Sequence, residues 1–114
     1  MEITKSLEKS EVVKRFSIID FQTFEDGFYI KINAYLVDGS ELHVREYSDQ
    51  QERNYLYHWQ SSDRKLIMRW DNASHHKHLI TYPHHVHQRG EIMASQDIFC
   101  SEVLKVIEEK LSAA

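Results

Sequence analysis

Apolar and polar residues alternate with a period of two through most of the first seventy positions, and this alternation predicts antiparallel strands. In "YIKINAYLV", residues 29–37, Ile30, Ile32, Ala34 and Leu36 share one face, and Lys31, Asn33 and Tyr35 share the other. In "ELHVREY", residues 41–47, Leu42 and Val44 oppose His43, Arg45 and Tyr47. Asp38-Gly39-Ser40 between them is a turn sequence, so the two segments are expected to form a hairpin. A second hairpin is predicted from "NYLYHWQ" (54–60) and "KLIMRW" (65–70) across "SSDR". The first sets Tyr55, Tyr57 and Trp59 against Leu56 and His58; the second sets out Leu66, Met68 and Trp70. Upstream, "VVKRFSIIDFQTF" is rich in β-branched and aromatic residues and reads as a further strand, joined through Glu25-Asp26-Gly27 to the one that follows. Gly27 and Gly39 are placed where a positive φ is cheap only for glycine.

The pattern changes period at the ends. From Asp97 onward, Cys100, Val103, Leu104, Ile107 and Leu111 fall at i, i+3, i+4, i+7 and i+11, the stripe of an amphipathic helix with Ser95 or Asp97 as N-cap and Lys110 near its C-terminus. Ile3 and Leu7 at i, i+4 predict a short N-terminal helix. The expected fold is therefore α+β: an antiparallel meander of about five or six strands with the C-terminal helix packed across one face. At 114 residues, with one proline, three glycines and no linker or repeat, residues 1–114 are expected to form a single domain.

Between Trp70 and Ile92 neither period survives. "RWDNASHHKHLITYPHHVH", residues 69–87, holds six of the chain's eight histidines. Asp71-Asn72 are turn formers, and "HHVH" (84–87) reads as a short strand that points His85 and His87 to one face and His84 to the other. Residues 53–89 carry six basic side chains (Arg53, Arg64, Lys65, Arg69, Lys77, Arg89) against Asp63 and Asp71, a local net charge of +4 in a chain of net −4. Such asymmetry suits attraction of a polyanion to one face.

Three chemistries fit. His85 and His87 could form an H-x-H pair for Zn²⁺ or a similar divalent ion, completed by His75, Asp71, His76, His78 or His58. A histidine pair could work without metal as acid and base on an RNA phosphodiester, His58 and His75 assisting and Arg69 or Arg89 facing the developing phosphorane charge. The third is phosphate binding alone, with Tyr57, Trp59 or Trp70 stacking bases and Asn72 and Arg89 adding polar contacts. Tyr55, Tyr57 and Trp59 could equally be a core face, which would put His58 on the open side; alternation does not decide. No C-x-x-C, H-E-x-x-H or glycine-rich phosphate loop narrows the choice.

The ordered combination Tyr-x-Tyr-x-Trp, Arg-Trp-Asp-Asn-Ala, His-His and Pro-His-His-x-His, together with "DGSEL…REY", resembles the TumE-like proteins, prokaryotic toxins of two-gene toxin–antitoxin modules. The likeness runs over about residues 28–108 and differs at Ser74 and Lys77, where family members commonly have proline. It implies a cytoplasmic toxin with a cognate antitoxin as partner, and its matching positions are Tyr57, His58, Trp59, Arg69, Trp70, Asp71, Asn72, His75, His76, Pro83, His84, His85 and His87. Joined to the histidine chemistry, the expectation is a ribonuclease; the rivals are a non-catalytic growth-inhibiting binder and a His-ligated metal-dependent hydrolase. No run is long and apolar enough for a membrane span and "MEITKSLEKS" lacks an apolar leader core. The lone Cys100 falls in the helical stripe and reads as a small buried hydrophobe. An edge strand in so small a sheet suits a homodimer, which Lys14, Arg15 and Lys31 would discourage.

Overall fold

A computed structural model describes residues 1–74 and 76–113. Helix α1 (Glu2–Lys9) leads into seven strands, β1 (Val13–Phe24), β2 (Gly27–Leu36), β3 (Glu41–Ser48), β4 (Arg53–Gln60), β5 (Leu66–Asp71), β6 (His85–Gln88) and β7 (Glu91–Ala94), and α2 (Cys100–Ser112) ends the fold. All seven strands pair antiparallel in sequence order. The meander and both helices match expectation, and the count exceeds it by β7. That strand was illegible because all four of its residues are exposed, so it carries no buried alternation; it pairs with β6 across Arg89-Gly90, both at positive φ.

The apolar sets read from the period-two pattern face the same side, except that Leu66, beyond a register irregularity in the β4–β5 pairing, is exposed. Ile30, Ile32, Ala34, Leu36, Leu42, Val44, Tyr55, Tyr57, Trp59, Met68, Trp70 and Val86 are buried together with Ile3 and Leu7 of α1 and Cys100, Val103, Leu104 and Ile107 of α2. Each fully buried aliphatic or aromatic side chain contributes about 1.5–3 kcal/mol, so this shared face fixes the register of the sheet. Tyr57, Trp59 and Trp70 are 0%, 2% and 3% exposed. They are core residues with no free face on which a base could stack, a correction to their expected role. The Trp59 indole N–H donates to the Ser40 hydroxyl at 2.9 Å, so its polar edge is also satisfied.

Two local expectations change. Gly39 does adopt positive φ (88°) in the β2–β3 turn, whereas Gly27 does not. A Cβ on Gly27 would overlap the Ser48 carbonyl oxygen of β3, so glycine there answers a close backbone approach. Helix α2 starts two residues later than an Asp97 cap would place it. Its first turn is closed instead by Glu102, whose carboxylate accepts from the Phe99 backbone N–H at 3.1 Å, and Asp97 pairs with Arg53 at 2.7 Å. Cys100 is buried, and burial pushes its thiol up to about 12, as a packing residue requires. No helix among the described residues is long and apolar enough to cross a membrane.

Candidate functional site

Because the apolar residues of β2–β6 point toward the helices, the intervening residues line the opposite face. Strand register sets them in two neighbouring rows. One runs Asn33, His43, His58, Arg69, His87 across β2–β6; the next runs Lys31, Arg45, Leu56, Asp71, His85. Arg69, Asp71, His85 and His87, scattered along nineteen positions, thus become direct cross-strand and diagonal neighbours. Residues 72–84 leave β5 and return as β6, and this loop brings His76 onto the same rings. His76 and His85 have ring centroids 4.6 Å apart, His76 and His87 5.7 Å, and His85 and His87 4.9 Å. The three side chains each offer a ring nitrogen lying within 4.8 Å of the others.

Asp71 is the hub. Its side chain is 8% exposed. Oδ1 accepts from the Ala73 backbone N–H at 3.0 Å and lies 2.8 Å from His85 Nε2; Oδ2 lies 3.5 Å from both Arg69 Nε and His87 Nε2. His85, 2% exposed, also donates from Nδ1 to the Pro83 carbonyl at 2.9 Å. Both ring nitrogens of His85 thus face an oxygen of the fold, the Asp71 carboxylate on one side and the Pro83 carbonyl on the other. Buried Arg69 Nε has no hydrogen-bond partner among the described residues, although the Arg69 side chain as a whole remains 42% exposed. These groups edge a cavity of about 490 Å³, whose other walls include Tyr29, Arg45, Tyr47 and Tyr55.

His87 is the better exposed of the β6 pair, at 26%. Burial holds its imidazole below the usual histidine range; the Asp71 carboxylate works against this, and His85, Arg69 and His76 add to it. His58 is also held low, first by burial, with Gln60 opposing and Arg69 and His43 reinforcing. Both rings are therefore biased toward the neutral form. Their sign for stability follows. The unfolded chain takes up protons first as pH falls through about 6.5, so these two groups destabilise the fold progressively on the acid side. A His58→Gln/His87→Gln double variant is expected to lose less of its thermal midpoint between pH 7.5 and 5.5 than the parent; an equal loss would remove these two rings as the cause.

Of the remaining expected residues, Asn72 also edges this cavity and the other described ones fall elsewhere. His58 is on the open face but sits beside His43, their ring centroids 6.1 Å apart, and does not edge the histidine cavity. His75 lies outside the described residues. Asn72 is committed to the backbone: Oδ1 accepts from Tyr55 N at 2.9 Å and Nδ2 donates to Arg53 O at 2.6 Å, extending the β4–β5 pairing by one step. Arg89 is at the tip of the β6–β7 turn, away from the cavity lining. The His84 ring meets the Tyr55 hydroxyl at 2.8 Å on the core side. Sequence reasoning missed Arg45, Tyr29 and Tyr47; their period-two positions gave their face and nothing gave their proximity to β5 and β6.

No curated protein and no solved structure matches the chain. The family described as Toxin TumE matches over residues 3–111, which takes in the whole sheet and nearly all of α1 and α2, and so extends past the 28–108 stretch that carries the signature motifs. On a match of that extent, the chain belongs to the TumE toxin family.

Proposed function

We propose that this toxin acts on RNA as a metal-independent ribonuclease, with the histidine cavity on the helix-free face as its active site and a cognate antitoxin as its partner. Family membership supports the toxin role. The observation that carries the chemistry is the convergence of His76, His85 and His87 with Asp71 and Arg69 around one cavity.

The roles follow from exposure and hydrogen bonding. His85 is too buried to meet a substrate and both its ring nitrogens are engaged, so with Asp71 it is a positioning pair beneath the site. His76 and His87 reach the cavity, and their rings are close enough to serve one phosphodiester. Neutral His87 removes the proton of a ribose 2′-OH. That oxygen attacks the adjacent phosphorus, the P–O5′ bond breaks, and protonated His76 delivers a proton to the leaving 5′ oxygen. Arg69 faces the charge that builds on the pentacovalent phosphorus. The products are a 2′,3′-cyclic phosphate and a 5′-hydroxyl.

A second reading is favoured by the three ring nitrogens lying within 4.8 Å of one another. A divalent ion of the zinc type fits His76, His85 and His87, with the His85 Nδ1–Pro83 contact supplying the outer hydrogen bond such ligands make. It would require His85 to release its contact with Asp71. Incubating the purified protein with total RNA, with and without chelator, separates the cases. Cleavage is expected in both, leaving cyclic-phosphate ends, and His87→Ala is expected to lower the rate by about 10²–10⁴. Cleavage abolished by chelator selects the metal version. No cleavage in either condition overturns the ribonuclease reading and leaves a non-catalytic toxin.

A further inference from the structure

We propose that the helix-free face carries a second, phosphate-binding subsite next to the histidine cavity, formed by Lys31, Asn33, His43, Arg45, His58 and Arg69. It deepens the ribonuclease reading, on which the identity of its occupant rests: a phosphodiester of the same RNA strand, flanking the one that is cleaved.

The two rows of the open face place these six residues around a separate cavity of about 280 Å³. Arg45 and Arg69 edge both cavities, so the two are contiguous. Strands are spaced about 4.8 Å apart, which puts the β3–β4 centre of the second cavity about 10–14 Å from β6, short enough for a neighbouring phosphate of one strand to reach it. Among the described residues the lining contains three permanent cations and no carboxylate. Three acids adjoin its lining residues: Asp71, 3.5 Å from Arg69 Nε; Asp20, opposite Lys31 in register; and Glu41, which accepts from His43 Nε2 at 3.1 Å; none of the three edges the cavity.

The arrangement is costly without an anion. Lys31 and Arg45 are exposed and lie directly opposite each other on β2 and β3, and like charges so placed are destabilising. Among the described residues neither makes an ion pair. Arg69 and His43 further oppose a charge on His58. A bound phosphate would offset all of these at once, and Asn33, His43 and His58 supply further hydrogen-bonding groups beside the cations. The cavity lining holds no aromatic ring other than the imidazoles, so recognition there is of backbone and not of base.

The test is binding of a labelled, uncleavable 2′-O-methyl RNA decamer as a function of salt, read by fluorescence anisotropy. Lys31→Ala and Arg45→Ala are each expected to weaken binding several-fold and to lower the log–log salt slope by about 0.7, the single-strand value for one phosphate no longer neutralised. Lys31→Arg should restore the slope. Inorganic phosphate should shift the His43 and His58 ring resonances in the parent and not in Arg45→Ala. Unchanged affinity and slope in both alanine variants overturn the subsite. Phosphate-induced shifts without any effect on RNA binding also overturn it, by reducing the cavity to a free-anion site, as does preferential binding of an acidic peptide at the same residues. If the decamer binds with these slopes while total RNA is never cleaved, the nuclease reading falls and the subsite stands; if RNA is cleaved and the slopes do not move, the reverse holds.

Discussion

Asp71→Asn is expected to lower RNA cleavage by about three to four orders of magnitude in a protein that still folds. The carboxylate accepts from the Ala73 backbone and touches His85 Nε2 with one oxygen, and faces Arg69 and His87 with the other. An asparagine of the same shape has one acceptor and one donor, so one of these sides meets an N–H it cannot bond. His85 then loses its anchor, the tilt of His87 and His76 against it is no longer set, and Arg69 loses the charge that holds its stem. Asp71→Ala should also unfold more readily, by about 1–3 kcal/mol, because it leaves the buried His85 Nε2 and the Ala73 N–H without their acceptor. The discriminating comparison is cleavage rate against urea midpoint for the asparagine variant. A rate within tenfold of the parent would show that His85 and Asp71 do not organise the site.

A large effect on stability is also expected at a residue outside the site. Arg53 donates to Glu46 at 3.1 Å, the Tyr57 hydroxyl at 3.0 Å, the Ile98 carbonyl at 2.8 Å and Asp97 at 2.7 Å. Its guanidinium also lies over the rings of Tyr55 and Phe99 at 4.3 and 4.0 Å. Glu46 is 6% exposed, and its other partner is the Tyr57 hydroxyl at 2.7 Å, a group that burial and the Glu46 charge push far up. Arg53→Ala would leave a buried carboxylate without its cation and untie the segment before α2 from β4. The expected cost is about 3–5 kcal/mol, a fall of at least about 10 °C in thermal midpoint for a domain near this size. Lysine should recover only part of this, since a single ammonium cannot span four acceptors in the planar fork. A loss under about 1 kcal/mol in denaturant titration would mean that the network is incidental.

Arg53 also shows why a charge count along the chain misleads. It is one of the six basic residues that make the stretch 53–89 look like a polyanion-attracting region, yet its charge is met within the fold by Glu46 and Asp97. The cations that do share the open face with the histidines are Arg69 and, from outside that stretch, Arg45 and Lys31. Sequence proximity grouped the wrong residues because a sheet brings together positions at equal height on different strands. The same geometry explains the histidines. His85 and His87 were legible as a pair since their spacing alone puts them on one face, whereas their approach to Arg69 and Asp71 depends on β6 pairing with β5 across a loop whose path no periodicity encodes.

What the sequence determined by itself was therefore whatever is set by local period and turn chemistry: strands β1–β6, the hairpins, the α2 stripe and membership of a recognisable family. What only the tertiary structure decided was the sign of each face. Alternation is unchanged when a strand is turned over, so Tyr57, Trp59 and Trp70 could have been a stacking platform or a core until two helices covered one side of the sheet. Once the apolar rings took the covered side, removal of their surface from water fixed every intervening residue on the other, and the register of β4, β5 and β6 gathered Arg69, Asp71, His85 and His87 there.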